Sequence, residues 1–489
     1  MTNGVTPRDQ GLHHTLHRLT ESLRSYIEAQ YHIRDESLIR ERRLLLDEDG
    51  SVCQTPYVES TPVYELGLPY AELRLPDEIK AVLTELAGLN IGLYPRPYIH
   101  QARALEHFFS DNADLIVATG TGSGKTESFL MPIIGQLAVE GINRPETAHM
   151  PGCRAILLYP MNALVNDQLS RIRKLFGELR ASAIISRGRD RPIHFGSYTG
   201  RTPYPGLRAS GKDTARVEPL FEGFYLPVMA QEDLRRQLET IGQWPAKDLA
   251  AFYAKNLEEM TVTRAGKPRR LRHWDQRLRT QPGDRELMIR HEAQIACPDL
   301  LITNYSMLEY MLTRPIERQI FSQTRSWLHA HPANELILVL DEAHMYRGAA
   351  GAEVALLLRR LFARLDVPRE RVRFILTSAS LGQGEEAERA VKEFARDLTG
   401  LSPESPRSLA LITGLREARP EGTAGAPLIA SALASFDLRA FEKHATNRVG
   451  ARQAVSALAN TLQWPPLAEA DDLADYLFHR LSGFPPLSF

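Results

Sequence analysis

Short runs of aliphatic and β-branched residues recur through the middle of the chain: "LIVAT" at 115–119, "AILLY" at 155–159, "IHFGSYT" at 193–199, "LLITN" at 300–304, "LILVLD" at 336–341 and "FILTSAS" at 374–380. A strand wetted on one face alternates apolar and polar positions. These runs are apolar almost throughout and alternate with helix-patterned stretches, as strands covered by helices on both faces do. The pattern predicts an α/β domain on a parallel sheet over residues 86–382. Between about 203 and 292 the strand pattern stops and a polar, charged, mostly helical stretch intervenes, which predicts an insertion. Residues 11–45 show helical periodicity and heavy charge before the proline-bearing "TPYVESTPVYE", so 1–85 read as an N-terminal extension. After 382 come a helix ("GEEAERAVKEFARDL"), a short apolar run ("LALITG"), a linker ("EARPEGTAGAP") and further helices to Phe489.

Composition narrows the class. With 43% hydrophobic and 24% charged residues among 489, the chain has material for two or three buried cores and is neither a tail nor a fibre. Lys plus Arg (59) nearly balance Asp plus Glu (60), so a polyanionic partner must be met by a local patch. Cys53, Cys153 and Cys297 are too far apart in sequence for a disulfide framework or a CxxC metal pair, which fits a reducing compartment. The N-terminus has no apolar signal core, and no stretch approaches the roughly 18 apolar residues of a membrane span. The expectation is a cytoplasmic protein with no membrane partner.

Candidate chemistry begins directly behind the first run, at "ATGTGSGKTES" (118–128). A strand that enters a glycine-rich turn and then a helix presents several backbone N–H groups to one point at the positive end of the helix dipole, which makes an anion site. Gly120, Gly122 and Gly124 allow close approach, with Thr119, Thr121 and Ser123 completing the loop. Lys125 would reach the β and γ phosphates of a nucleotide, and Thr126 would place its hydroxyl on Mg²⁺. The usual pattern starts with Gly where this chain has Thr119. A solvated glycine turn is the plain alternative. What decides against it is a second element, "LILVLDEAH", an acidic pair at the end of another buried strand. Asp341 would hold Mg²⁺ through water, Glu342 would polarise the attacking water, and His344 could link this site to the next motif.

At this point the residues resemble superfamily 2 helicases of the DEAD/DEAH type, from about Tyr94 to Gly382 and in the family's motif order. "YPRPYIHQARAL" resembles the Q motif, which implies that Gln101 reads the adenine edge with Tyr94 stacking on the base. "YPMNALVNDQ" resembles motif Ia, with Pro160, Asn162, Leu164 and Gln168. "SYTGRTP" resembles motif Ib, bringing Thr199, Gly200 and Arg201, and "PDLLITNYSMLEYML" resembles motif Ic, whose Thr303 and Asn304 would meet the phosphates of a nucleic-acid strand. "TSASLG" is similar to motif III, with Ser378 and Ser380 as coupling residues. The resemblance implies a RecA-like P-loop NTPase fold with ATP and Mg²⁺ as cofactors. "DEAHMYRGAAGAEVALLLRRL" and "TNYSMLEYML" further resemble the MrfA-like branch, bacterial DNA helicases of repair and phage-defence systems, which implies single-stranded DNA over RNA.

Other features stay open at this stage. Residues 261–290 hold nine Lys or Arg against three acids with Trp274 among them, either a track for single-stranded DNA or a solvated charged face. His13 and His17 lie one helical turn apart and read as a metal pair or as inert surface. Arg347 could contact nucleic acid or salt-bridge to its own helix. The family's second RecA-like lobe brings arginines in a Q-x-x-G-R-x-G-R-like stretch, and none follows motif III here. No cysteine follows Cys297, so the branch's cysteine-rich module is not seen either. The second lobe is therefore expected to come from another chain or to have been lost by truncation. The function expected is the ATP-binding lobe of a DNA helicase or translocase that hydrolyses ATP poorly alone. An ATP-gated DNA clamp or scaffold is the alternative, and a P-loop enzyme unrelated to DNA is disfavoured by the Q-like, Ia, Ib and Ic stretches.

Overall fold

The computed structural model describes residues 12–481 apart from 32, 49, 53–62, 121, 205, 210, 211, 213, 214, 254–259, 265, 266, 272–277, 380–383, 417–435, 438, 439, 442–447, 470 and 471. All six apolar runs are strands: β1 (Asp114–Ala118), β2 (Ala155–Tyr159), β3 (Phe195–Ser197), β6 (Leu300–Asn304), β7 (Leu336–Leu340) and β8 (Val372–Ser378). With β9 (Leu409–Thr413) they form a seven-stranded sheet in the order β3-β6-β2-β7-β8-β1-β9, every neighbouring pair parallel. The absence of alternation in the runs has a direct cause. In β7, Ile337 and Val339 enter the core on one face while Leu336, Leu338 and Leu340 enter the core on the other. Both faces are covered by helices, so both sets of positions must be apolar.

Domain limits differ from the expected 86–382. Residues 61–416 form one compact unit. The run "LALITG" is not beyond the domain: β9 pairs with β1 from Asp114↔Leu409 to Ala118↔Thr413. It is an edge strand in which only Ile412 is buried, which is why its sequence lacks the fully apolar signature of the central strands. At the other end, Tyr64 bridges Arg416 and Leu66 bridges Tyr98, and helix Asp77–Ala87 buries Ile79, Val82, Leu83 and Leu86 in the core that covers β1. A second unit comprises residues within 1–60 and 417–489. In it, helices Leu12–Gln30 and Glu36–Asp47 are tied by ion pairs of Arg24 with Asp47 and Arg43 with Glu28. Helices Arg448–Thr461 and Leu473–Leu481 bury Val455, Leu458 and Leu477 in a small core of their own.

The insertion is not purely helical. β4 (Met260–Arg264) and β5 (Lys267–Leu271) form an antiparallel hairpin, so part of the basic stretch lies on strands. The alternating, β-branched "MTVTR" favours that pairing over a helix. The rest of the insertion packs a core of its own, where Phe221 stacks on Tyr253 with ring centroids 4.7 Å apart. Among the described residues no helix is long and apolar enough to cross a membrane.

Candidate active site at the carboxyl edge of the sheet

In an open parallel sheet, loops at the carboxyl ends of the strands converge where the chain order reverses. Here β1, β8 and β7 are neighbours, registered Ala118↔Ser378 and Leu340↔Leu376, so the glycine loop after β1 and the acidic pair after β7 flank the end of β8. Gly122 and Gly124 take φ of +77° and +74°, and a Cβ on Gly124 would lie 2.3 Å from Gln101 Nε2. Gly120 has Tyr64 Oη against it, 2.9 Å from where a Cβ would sit. Thr119, the departure from the usual glycine, accepts a 2.6 Å hydrogen bond from Ser123 Oγ and is buried. Its hydroxyl clips the loop across its base. Thr121 lies outside the described residues.

The loop is also held from helix Ile99–Phe109. His100 Nε2 lies 2.8 Å from the Ser123 carbonyl, and Gln101 Nε2 donates to the Gly124 carbonyl at 3.0 Å. Burial pushes the His100 pKa down against the effect of that bond, so the ring is neutral and Nε2–H is the donor. Gln101 Oε1 accepts from the Tyr98 amide at 2.9 Å. The residue expected to read a base edge is thus engaged at both ends of its amide, and its neighbour His100, within the same Q-like stretch, had no role assigned from the sequence. Tyr94, 71% exposed, stands at the mouth of the cavity.

That cavity measures about 880 Å³, and Gln101, Gly122, Lys125, Thr126, Asp341 and Glu342 all line it. Lys125 Nζ pairs with Glu342 Oε1 at 3.2 Å across 217 positions of sequence. Glu342 adopts φ of +49°, a left-handed conformation that costs a non-glycine residue and turns the chain sharply after β7. Its other oxygen lies 3.3 Å from His344 Nδ1, and the same nitrogen lies 3.3 Å from Ser378 Oγ. Asp341 accepts a hydrogen bond from the Thr377 hydroxyl. Burial raises its pKa, with the Thr377 bond opposing, and it has no salt bridge among the described residues. Thr377 was not foreseen, although it sits in the motif III stretch. The Thr126 hydroxyl donates to Gln168 at 3.3 Å and accepts from Arg171 Nη1 at 2.9 Å. Arg171 was also missed. It is one helical turn beyond Gln168, and that i, i+3 spacing was the available signal.

The Thr126 hydroxyl and the Asp341 carboxylate are hard oxygen donors facing one cavity, the donor chemistry Mg²⁺ takes. A buried carboxylate without a cationic partner is relieved by a divalent cation. The donor set fits the metal.

Beside this cavity, β2 and β6 end in register, Tyr159↔Asn304. Asn304 Nδ2 donates to Asn162 Oδ1 at 2.6 Å, and Asn304 Oδ1 caps the next helix at the Met307 amide. Pro160 and Asn162 are half-buried, while Gly200 and Arg201 are exposed past β3. Thr303 differs from expectation: it is fully buried, and its hydroxyl is donated to the Tyr198 carbonyl at 2.6 Å, so it lies under the strand ends and cannot meet a phosphate. Thr199 is buried too, with its carbonyl accepting from Arg290 Nη2 at 2.7 Å. Arg347 is exposed and makes no salt bridge among the described residues. Ser380 and Trp274 lie outside the described residues, as does the side chain of His13; among the described residues no group of His, Cys, Asp and Glu could hold a metal by itself.

Residues 98–196 match the DEAD/DEAH box helicase family. The chain is 57% identical over 492 residues to the Druantia protein DruE of Escherichia coli (strain UMEA 4076-1), an alignment covering 99% of this chain and 26% of that protein. It is 31% identical over 110 residues to the probable ATP-dependent RNA helicase ddx3 of Dictyostelium discoideum, covering 21% of this chain and 15% of that one. Crystal structures of the DUF1998 helicase MrfA bound to DNA, and to DNA and AMPPNP, align at 19% and 17% identity with a TM-score of 0.38 each. Those alignments cover 88% of this chain and 44% and 43% of the others. The chain thus spans about a quarter of the length of DruE and less than half of MrfA.

Proposed function

From a chain whose residues 98–196 match the DEAD/DEAH box helicase family, we infer that the cavity behind β1 binds ATP with Mg²⁺ and hydrolyses it, and that the strand ends beside it hold single-stranded DNA. The observation that carries this reading is the meeting of Lys125, Thr126, Asp341 and Glu342 around one cavity. Each has a role that its chemistry allows. Lys125 leaves Glu342 for the β and γ phosphates, which frees Glu342 to orient water. Thr126 and Asp341 hold the metal, whose charge, when bound, offsets that of the phosphates. His344, within reach of both Glu342 and Ser378, passes the state of the site to the end of β8.

Asn162 past β2 and Gly200 and Arg201 past β3, on either side of β6, offer an amide, a bare backbone and a charge without a salt bridge among the described residues, a surface suited to a sugar-phosphate backbone and indifferent to sequence. The choice of DNA over RNA rests on the MrfA-like character of "DEAHMYRGAAGAEVALLLRRL" and "TNYSMLEYML". Full turnover is proposed to need arginines from a second lobe, supplied by another chain or by a longer form of this one. Loss of such a group costs on the order of 10³–10⁵ in rate.

The test is calorimetric titration of ATP with Mg²⁺, followed by ATPase assays with and without single-stranded DNA and an added second lobe. Glu342→Gln is expected to keep ATP binding and to lower stimulated turnover by about 10²–10⁴. No uptake of ATP, or a Glu342→Gln variant as fast as the parent, would sink the reading.

A further inference from the structure

We propose that Arg171 is a positioning residue that keeps the Thr126 hydroxyl from metal until Mg²⁺-nucleotide displaces it, and that helix Asn162–Phe176 carries the release to the strand-end face. The inference rests on the nucleotide reading above. This one helix touches both parts of the site. In its first turn Asn162 Oδ1 accepts from Asn304 Nδ2 at 2.6 Å. Further along, about 14 Å by the rise of a helix, Arg171 Nη1 donates to Thr126 Oγ1 at 2.9 Å, while Gln168 Oε1 accepts the hydroxyl proton at 3.3 Å.

A hydroxyl has one proton and two lone pairs, and here the proton and one lone pair are taken. Mg²⁺ binds an oxygen at about 2.1 Å. A divalent cation on Thr126 Oγ1 would therefore lie within roughly 5 Å of a guanidinium nitrogen held 2.9 Å from the same atom, and like charges so placed repel. The second lone pair is left for the metal, so Arg171 opposes it by charge and not by occupancy. The arginine is exposed to the cavity and makes no salt bridge among the described residues, with the Glu127 carboxylate acting on it only from a distance, whereas Lys125 on the same cavity is already paired with Glu342. Metal entry therefore releases one of the two side-chain bonds by which the middle of this helix holds Thr126, while Ile172 and Leu175 keep the helix in the core. The first turn of the helix holds Asn304 on the proposed nucleic-acid face.

The experiment measures binding of ADP and of a non-hydrolysable ATP analogue over a series of Mg²⁺ concentrations, for the parent chain, Arg171→Ala and Gln168→Leu. Arg171→Ala should lower the half-saturating Mg²⁺ by about three- to tenfold, since a charged competitor is removed. Nucleotide affinity in EDTA should stay within twofold, which a general loosening of the site would not allow. Gln168→Leu, losing a neutral bond, should move the Mg²⁺ midpoint less. The difference in single-stranded DNA affinity between nucleotide-free and Mg²⁺-nucleotide states should shrink in Arg171→Ala. An unchanged or raised Mg²⁺ midpoint overturns the inference, as does an undiminished DNA difference for the role of the helix. A parent chain that binds no nucleotide at any Mg²⁺ concentration overturns the reading beneath it instead.

Discussion

His100 shows how a glycine loop is given one shape. The loop's backbone is permissive at Gly122 and Gly124, and permissive backbone must be fixed from outside. The neutral His100 ring donates to the Ser123 carbonyl and Gln101 to the next carbonyl, so two consecutive peptide units are held by two consecutive side chains of one helix. His100→Ala leaves a buried carbonyl without its donor, a loss of about 1–3 kcal/mol. Because the carbonyl belongs to the loop, the effect should appear in nucleotide affinity, weakened about tenfold, more than in the melting temperature of the fold. Equilibrium titration of ATP against the variant checks this; an affinity equal to the parent's would show that the loop holds its own shape. The sequence made the loop residues legible because the chemistry of phosphate binding restricts them to a few types at fixed spacing. His100, Thr377 and Arg171 were not legible in that way. Each acts through a hydrogen bond to another site residue, and neither histidine, threonine nor arginine is restricted to that use.

At the scale of elements, the runs of the five inner strands were legible because burial on two faces leaves one solution, a continuous apolar run, and the short edge strand β3 was legible from the apolar positions Ile193 and Phe195 of its run. The seventh strand and the hairpin were not. β9 lies at an edge with only Ile412 buried, and β4–β5 sit in a basic stretch whose pairing is local. Nearness in the fold was equally hidden: Cys153 and Cys297, 144 positions apart, have their sulfurs 3.1 Å apart because β2 and β6 are neighbours. The insertion is held by buried charge. Lys247 Nζ is within 2.9 Å of Glu292 and also bonds Asp284, and all three side chains are almost wholly buried. Burial raises the Glu292 pKa while Lys247 opposes it. Lys247→Met removes the cation and leaves two buried carboxylates facing each other, with an expected loss of about 3–5 kcal/mol. Since all three residues belong to the insertion, hydrogen exchange should quicken there before it does in the central strands. Uniform quickening across the sheet would mean that the insertion and the sheet open as one.

Across the sheet unit, function and stability occupy opposite ends of the strands. The carboxyl ends carry the cavity, while the amino ends carry a cluster of buried ions. Glu140 accepts from Arg154, Arg189 and Trp327, and Asp299 pairs with Arg191 and Arg154 at the starts of β2 and β6. Burial works against the Glu140 carboxylate, yet Arg154 and Arg189 outweigh it and bring its pKa down to about 2. His194, just before β3, behaves differently: burial brings its pKa down to about 4, with Asp299 opposing. The signs separate two acid transitions. An unfolded histidine takes up its proton near pH 6.5, while the folded one stays neutral to about pH 4, so the stability it contributes is full above pH 6.5 and is lost as the pH falls toward 4. Glu140 contributes above pH 4.5 and loses that contribution as the pH falls toward 2. His194→Gln should therefore flatten the fall in melting temperature between pH 6.5 and 4, where up to about 3 kcal/mol is at stake, and leave the steeper loss below it. Melting curves of parent and variant at half-unit pH intervals decide the matter: parallel curves through that window would place the histidine's proton uptake equally in both states and leave the carboxylates alone to account for acid sensitivity.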